Sequence, residues 1–189
     1  MAVPRTHLEG LYSGSDDPWD FRTSPYEAAR FDAALAALPR DRYCHALEIG
    51  CGNGELARRL ALRCDAYTGV DAVDTALASA RQAAPSGTFV KAFLPCELPD
   101  GVFDLIVLSE ILYFLDEAGL DDLANQLDAR WPDADILAVN WLGPSGNEIE
   151  GDAALMHFAT ATVRDCLSCR PSDPRHRIDF FRPVTRHAR

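Results

Sequence analysis

Short apolar runs of strand length alternate with segments of helical periodicity along most of the chain, and this alternation restricts its fold more than any other feature. Strands buried on both faces of a parallel sheet are expected to carry few polar residues, as these runs do. Strands are predicted at 44–49, 66–70, 88–93, 103–108, 136–140 and 177–181, and helices at 26–38, 55–62, 74–84, 120–131 and 153–166. The pattern predicts an α/β fold with a doubly wound, mostly parallel sheet.

The length of the chain predicts one domain, because 189 residues with 48% hydrophobic side chains can bury a single core. Residues 1–40 are interpreted as an N-terminal extension with a lid helix, and residues 41–189 as the α/β domain. The helix at 26–38 begins after Pro25 and stops before Pro39, as proline placement favours.

The net charge of −11, from 18 basic and 29 acidic residues, argues against nucleic acid as a partner, because the basic residues form no concentrated patch. No apolar run is long enough to cross a bilayer and no secretory signal is recognised, so no membrane partner and a cytoplasmic location are expected. Six cysteines are then expected as reduced thiols. Cys166 and Cys169 are interpreted as two buried thiols rather than a zinc site, and no metal is expected.

A glycine-rich loop follows the first predicted strand, with the pattern E-x-G-x-G-x-G from Glu48 through Gly50 and Gly52 to Gly54. Right-handed crossovers place the first and fourth strands side by side, and ligands of such sheets bind at the carboxyl ends of the strands there. Glycines allow a sharp turn and close approach of a ligand to the backbone. A dinucleotide fingerprint would need glycine at Glu55, where a carboxylate disfavours a pyrophosphate. Glu48 suits a ligand with an amino group or a positive charge.

Asp71 ends the second predicted strand, 21 residues after Gly50. A carboxylate at this place can accept hydrogen bonds from both ribose hydroxyls, which indicates an adenosine-like ligand. Cys51 and Ala72 are assigned to the same site.

Together, Glu48, the three glycines and Asp71 resemble the S-adenosylmethionine site of class I methyltransferases. The segment DDPWDFRTSPYE at 16–27 resembles the NodS-like branch, the nodulation N-methyltransferases, and the likeness extends through ALEIGCGNGELARRLA and FDLIVLSEILYFL over roughly residues 12–142. The resemblance implies a Rossmann-like, doubly wound, mostly parallel seven-stranded sheet with an N-terminal helical extension, residues 41–189 being the methyltransferase domain. It also implies S-adenosyl-L-methionine as cofactor and a small-molecule or oligosaccharide acceptor, in the family the glucosamine amino group of a chitooligosaccharide.

Two residues after the fourth strand are candidates for the acceptor side of such a site. Glu110 follows the strand directly, and Tyr113 shares its face if a helix begins there. Both are assigned as catalytic. The alternative for Glu110 is that it only caps or solvates the start of a helix, where acidic residues are favoured.

The remaining cofactor candidates lie in three other segments. Trp19, Arg22 and Tyr26 are spaced to share one face of a lid, where Arg22 pairs with the carboxylate of the cofactor or, alternatively, with a neighbouring aspartate. The alternative for Trp19 is a core position, where a tryptophan is found more often than in a cofactor lid. Ser109 is expected to contribute its backbone, and backbone at Phe93 and Leu94 is expected to replace the acidic residue that relatives place after the third strand.

Three functions stay open on the sequence alone. The favoured one is methyl transfer to an amine or, alternatively, to the oxygen of a small molecule. A nicotinamide-dependent oxidoreductase and a non-catalytic cofactor-binding module are the others. His157 lies in an apolar stretch and is interpreted as a core histidine rather than a general base.

Overall fold

The computed structural model describes residues 3–169 and 173–184, without the side chains of Ser168 and Cys169. Its strands are β1 (Tyr43–Ile49), β2 (Cys64–Asp71), β3 (Thr88–Lys91), β4 (Leu105–Ser109), β5 (Asp135–Trp141), β6 (Asp165–Cys169) and β7 (His176–Arg182). Its α-helices are α1 (Arg5–Leu11), α2 (Pro25–Ala36), α3 (Ala57–Leu60), α4 (Asp74–Ala83), α5 (Glu117–Arg130) and α6 (Gly151–Ala161).

The seven strands form one sheet in the order β3-β2-β1-β4-β5-β7-β6. The first five pair in parallel, and β7 runs antiparallel to both β5 and β6. The predicted doubly wound, mostly parallel seven-stranded fold is therefore confirmed. Ile49 at the end of β1 lies beside Val70 of β2 and Leu108 of β4, which brings the loops after these three strands to one edge.

Helices cover both faces of the sheet, and the sheet separates the hydrophobic core into two layers. On one face Leu123 of α5 and Phe158 of α6 pack with Leu108, and all three side chains are fully buried or nearly so. On the other face the core includes Phe31 of α2 and Leu60 of α3. The strands are apolar on both sides because each side faces helices, as the sequence pattern indicated.

The predicted helix at 153–166 is wrong beyond Ala161, because the chain there turns into the strand β6. The hydroxyl of Thr162 donates to Asp128 of α5, and the next residues continue in extended conformation. Cys166 is consequently exposed on a strand rather than buried, and the side chain of Cys169 lies outside the described residues. His157 is not a core residue either, since it is partly exposed and bonds Asp121.

Two general properties of the described residues bear on function. None of the helices that they form is both long and apolar enough to cross a membrane. Within the same residues no three histidine, cysteine or acidic side chains are grouped as metal ligands.

Candidate functional site

A cavity of about 530 Å³ lies at the edge of the sheet where β1, β2 and β4 end. This volume is within the range of small-molecule sites. The cavity is bounded by the loops after these strands and by residues of α1, α2 and the segment between them. Of the residues assigned to the site from the sequence, twelve line it: Trp19, Glu48, Gly50, Cys51, Gly52, Asp71, Ala72, Phe93, Leu94, Ser109, Glu110 and Tyr113.

The glycine loop is held against the ends of two neighbouring strands. Gly50 adopts a φ of +84°, and a Cβ atom there would lie 2.6 Å from the carbonyl oxygen of Ser109. The N–H groups of Gly50 and Cys51 both donate to the carbonyl of Val70, at 2.9 and 3.0 Å. Glycine is therefore required at position 50 by its conformation and by the close approach of β4.

Asp71 fixes the loop and keeps hydrogen-bonding capacity for a ligand. Its Oδ2 accepts from the N–H of Gly52 at 2.9 Å and its Oδ1 from the N–H of Val73 at 3.0 Å. Each oxygen retains a second lone pair, which matches the two hydroxyls of a ribose. Burial raises the pKa of Asp71, and the backbone N–H groups oppose that shift. The geometry leaves Asp71 able to accept hydrogen bonds from the hydroxyls of a ribose, the role that the sequence predicts for it.

Gly54 does not line the cavity, although it belongs to the glycine pattern. A Cβ atom at this position would lie 2.6 Å from the Cα of Ala80, and φ is +85°. The assignment of Gly54 as a cofactor contact is therefore corrected, since its missing side chain lets α4 pack against the loop.

Glu48 is almost fully buried below the glycine loop, where it accepts a hydrogen bond of 2.6 Å from the hydroxyl of Tyr67. Burial raises the pKa of Glu48 to about 8, despite the opposing hydrogen bond. A cationic group in the cavity would favour the ionised form of this residue. Ionised Glu48 would suit the amino group or positive charge that the sequence indicated as its partner.

A raised pKa makes the stability of the protein depend on pH. Between the ordinary glutamate pKa and about 8, folded Glu48 holds a proton that the unfolded chain has lost. We expect its contribution to stability to fall as pH rises through this interval, by at most about 1.4 kcal/mol per pH unit, and then to level off. Denaturant titrations at several pH values should show a flatter profile for Glu48→Gln than for the wild type. Glu97→Gln, at an exposed position, is the control, and equal slopes for Glu48→Gln and wild type would contradict the shift.

The part of the cavity near the ends of β2 and β3 is apolar. Ala72, Phe93 and Leu94 line it, and the guanidinium of Arg5 lies 5.2 Å from the ring centre of Phe93. Cys51 is buried in the same wall, and burial raises the pKa of its thiol. A planar base would be enclosed here by side chains and backbone rather than by a carboxylate.

Glu110 lies on the other side of the cavity and is held by an ion pair that the sequence did not indicate. Its Oε1 accepts from the guanidinium of Arg30 in α2, which is only 3% exposed and also bonds Glu27. Its Oε2 accepts from the hydroxyl of Tyr113 at 2.7 Å and from the N–H of Trp141 at 2.9 Å. Burial raises the pKa of Glu110, while Arg30 acts in the opposite direction.

The backbone of Glu110 is also unusual, with a φ of +54° at a non-glycine residue. This conformation costs of the order of 1–2 kcal/mol and is typical of functional positions. The alternative that Glu110 only caps a helix is wrong, because the short 3-10 turn Leu112–Phe114 begins after Ile111 and Glu110 contacts other groups. The turn places Tyr113 on the same side as Glu110, as predicted.

Arg22 does not reach the cavity. Its guanidinium bonds both carboxylate oxygens of Asp16, at 2.9 and 2.7 Å, so the alternative aspartate pairing is the one observed and the cofactor assignment of Arg22 is corrected. The chain forms turns between Trp19 and Ser24 rather than a helix, which separates Arg22 from Trp19 and Tyr26. Trp19 is 41% exposed, stacks on Phe21 and lines the cavity, so it is not a core residue.

Two aspartates join this turn to the glycine loop and to α4. The Oδ1 of Asp17 accepts from the side-chain amide of Asn53 at 2.8 Å and from the N–H of Phe21. The hydroxyl of Ser79 in α4 donates to Asp16 at 2.7 Å. The DDPWDF part of the sequence therefore connects the N-terminal segment to the glycine loop and to α4.

Several cavity residues were missed in the sequence. Arg30 had a detectable signal, since it lies beside Phe31 on the buried face of α2, where an arginine needs a partner. Tyr12, Trp141 and Arg175 had none, because their approach to the cavity depends on loops and on strand pairing.

Comparison with known proteins agrees with this geometry. The family model for nodulation protein S (NodS) matches residues 10–128, more than half of the chain. Nodulation protein S of Sinorhizobium fredii is 29% identical over 156 residues, which are 80% of this chain and 67% of that protein. The corresponding protein of Rhizobium tropici is 31% identical over 143 residues, or 74% and 56% of the two chains. The chain thus spans between about half and two thirds of the length of these relatives.

Two solved structures have the same fold. A putative methyltransferase from Pseudomonas syringae is 35% identical with a TM-score of 0.71, covering 83% of this chain and 98% of that one. The N-methyltransferase NodS of Bradyrhizobium japonicum in complex with S-adenosyl-L-homocysteine is 20% identical with a TM-score of 0.77, covering 95% and 97%. The chain therefore belongs to the nodulation protein S family and has the class I methyltransferase fold.

Proposed function

We propose that the protein transfers a methyl group from S-adenosylmethionine to the nitrogen of a small-molecule amine, such as the glucosamine of a chitooligosaccharide. The observation that carries the proposal is the excess of acidic side chains in the cavity. Five acidic residues line it against two guanidinium groups: Glu27, Glu48, Glu55, Asp71 and Glu110 against Arg30 and Arg175. Of these, Glu48 would become ionised when a cationic group binds beside it. Such a surface attracts cationic groups, such as a sulfonium and a protonated amine, rather than phosphates.

The two ends of the cavity would bind different groups, the donor at one end and the amine at the other. Asp71, Gly52 and the apolar wall at Phe93 would hold the adenosyl group, and Glu48 with the glycine loop would hold the amino-acid end. S-adenosylmethionine supplies a methyl group on a sulfonium, which a neutral amine can displace. Glu110 has its position fixed by three partners and would orient the amine from the opposite side.

We also propose a role for the N-terminal segment and a cellular location for the protein. Residues 1–40 would cover the cavity, since Tyr12, Trp19 and Tyr26 all line it. We place the protein in the cytoplasm because Cys44, Cys51, Cys64 and Cys96 are free thiols, as in a reducing compartment.

An acceptor screen with a radiolabelled methyl donor tests this function. Deacetylated chitooligosaccharides and simple amines are expected to be labelled, and phenols and carboxylic acids are not. Labelling of oxygen acceptors alone would establish an O-methyltransferase. Calorimetric titration should show binding of S-adenosylhomocysteine and not of NAD; the opposite pattern would refute the proposal.

Glu110→Gln is expected to lower kcat roughly tenfold and to change the affinity for S-adenosylhomocysteine less than threefold, because the residue lies on the acceptor side of the cavity. The amide keeps the shape of the side chain but loses the charge that faces Arg30. Steady-state kinetics and calorimetry provide the two measurements. Glu117→Gln, at an exposed position in α5, is the control. A larger loss of donor affinity than of kcat would make Glu110 a cofactor residue.

A further inference from the structure

An amine must lose a proton before its nitrogen can accept a methyl group, and the nearby carboxylates of Glu110 and Glu27 are both paired with Arg30, so that taking up a proton would cost them this ion pair. Oε1 of Glu110 bonds Arg30 and Oε2 bonds two donors. Nε of Arg30 also donates to Oε2 of Glu27, at 2.8 Å. Arg30 itself cannot act as a base, since guanidinium does not deprotonate in proteins. A proton acceptor must therefore be sought elsewhere in the wall.

Tyr26 and His176 form a hydrogen-bonded pair beside this cluster. The hydroxyl of Tyr26 lies 3.1 Å from Nδ1 of His176, and the tyrosine lines the cavity. His176 begins β7 and pairs with Trp141 of β5, so the strand register places it directly behind the acceptor side. It is 4% exposed, and its Nε2 has no hydrogen-bond partner among the described residues. No pattern in the sequence indicated a role for His176.

We infer that Tyr26 and His176 remove the proton of the acceptor amine. This inference rests on the proposed function. The N–H bond of the ammonium breaks as its proton passes to the oxygen of Tyr26, whose own proton passes to Nδ1 of His176. The products are a neutral amine, an intact tyrosine and an imidazolium. After the methylated product leaves, the proton returns through Tyr26 to water in the cavity.

The surroundings of the pair suit a temporary proton acceptor. Burial lowers the pKa of His176, and the nearby guanidinium groups of Arg30 and Arg175 lower it further, against the carboxylate of Asp173. The imidazole is thus neutral at rest and releases its proton readily. Tyr26 faces Glu27, Glu110, Asp173 and Arg30, and burial raises its pKa to about 12, which keeps its hydroxyl protonated.

The pH dependence of Tyr26→Phe and His176→Gln tests the inference, with a short deacetylated chitooligosaccharide as acceptor. At pH 6.5, where the amine arrives protonated, both variants should lose on the order of tenfold to a hundredfold in kcat. At pH 9 the amine is neutral in solution, and the loss should shrink to about threefold or less. A purely structural role would lower kcat equally at both pH values, and that result, or unchanged kcat at pH 6.5, would overturn the inference.

Two controls distinguish a wrong inference from other causes of lost activity. His157→Asn removes an imidazole that bonds Asp121 outside the cavity and should leave the profile unchanged. Nitrogen-15 NMR of the protein with S-adenosylhomocysteine should show His176 with a proton on Nε2 and none on Nδ1; a proton on Nδ1 would overturn the inference without any turnover. Absence of methyl transfer by the wild type to every amine at every pH would instead refute the proposed function.

Discussion

Replacing Arg30 with methionine is expected to lower the free energy of unfolding by about 3–5 kcal/mol at pH 8, the scale for removing one partner of a buried ion pair. The substitution leaves the carboxylates of Glu27 and Glu110 without their shared guanidinium, in surroundings where their side chains are 13% and 16% exposed. Urea denaturation provides the measurement. We expect the loss to be smaller near pH 5, because burial then raises the pKa of Glu110 without opposition from Arg30 and the residue is neutralised by a proton.

A matched arginine and a second substitution make this test specific. Arg58→Met removes a guanidinium that is 47% exposed and bonded to Glu55, and we expect a change below about 1 kcal/mol. Adding Glu110→Gln to Arg30→Met should recover part of the lost stability, since it removes one uncompensated charge. A loss below about 1 kcal/mol for Arg30→Met at pH 8 would show that the ion pair contributes little.

Asp71→Ala is expected to weaken the binding of S-adenosylhomocysteine by about tenfold to a hundredfold, the scale for losing charged hydrogen bonds. The effect has two sources. The ribose hydroxyls would lose their proposed acceptor, and the N–H of Gly52 loses the bond of 2.9 Å that holds the glycine loop. Isothermal titration calorimetry of the wild type and the variant measures the change.

Asp74→Ala is the control for this substitution. Asp74 lies three residues further along, at the start of α4, and its side chain is exposed and bonded to Lys91. Its removal should leave the affinity within about twofold of the wild-type value. Unchanged affinity in Asp71→Ala would show that the ribose is held elsewhere.

Local patterns were sufficient to predict the sheet and most of the residues that line the cavity around the glycine loop. The glycine loop and Asp71 could be recognised from the sequence because they lie within about 25 residues of each other. The loop conformation requires glycine, and the N–H of Gly52 requires a hydrogen-bond acceptor such as Asp71. The apolar runs place β1 to β5 and β7 because strands covered on both faces leave a continuous hydrophobic pattern. β6 was missed because the apolar helical pattern of α6 runs on into it, and the break at Thr162 depends on a bond to Asp128 in another helix.

The acceptor side was less predictable because its contacts join distant parts of the chain. Glu110 meets Arg30 from 80 residues away, and Tyr26 meets His176 from 150 residues away. Such pairs require the register of β5 and β7 and the packing of α2, which spacing alone does not determine. For Arg22 the sequence left two partners open, the carboxylate of the cofactor and a neighbouring aspartate. Only the structure identifies Asp16 as the partner.

The contact between α2 and the end of β4 has a consequence for protein engineering. A shortened chain beginning at Asp41 would retain every strand of the sheet, yet Glu110 would lose the cation that balances its charge, and His176 would lose its link to the cavity. Grafting new acceptor loops onto this scaffold, or exchanging its first forty residues with those of a relative, therefore requires that Tyr26 and Arg30 be transferred together with the residues they contact.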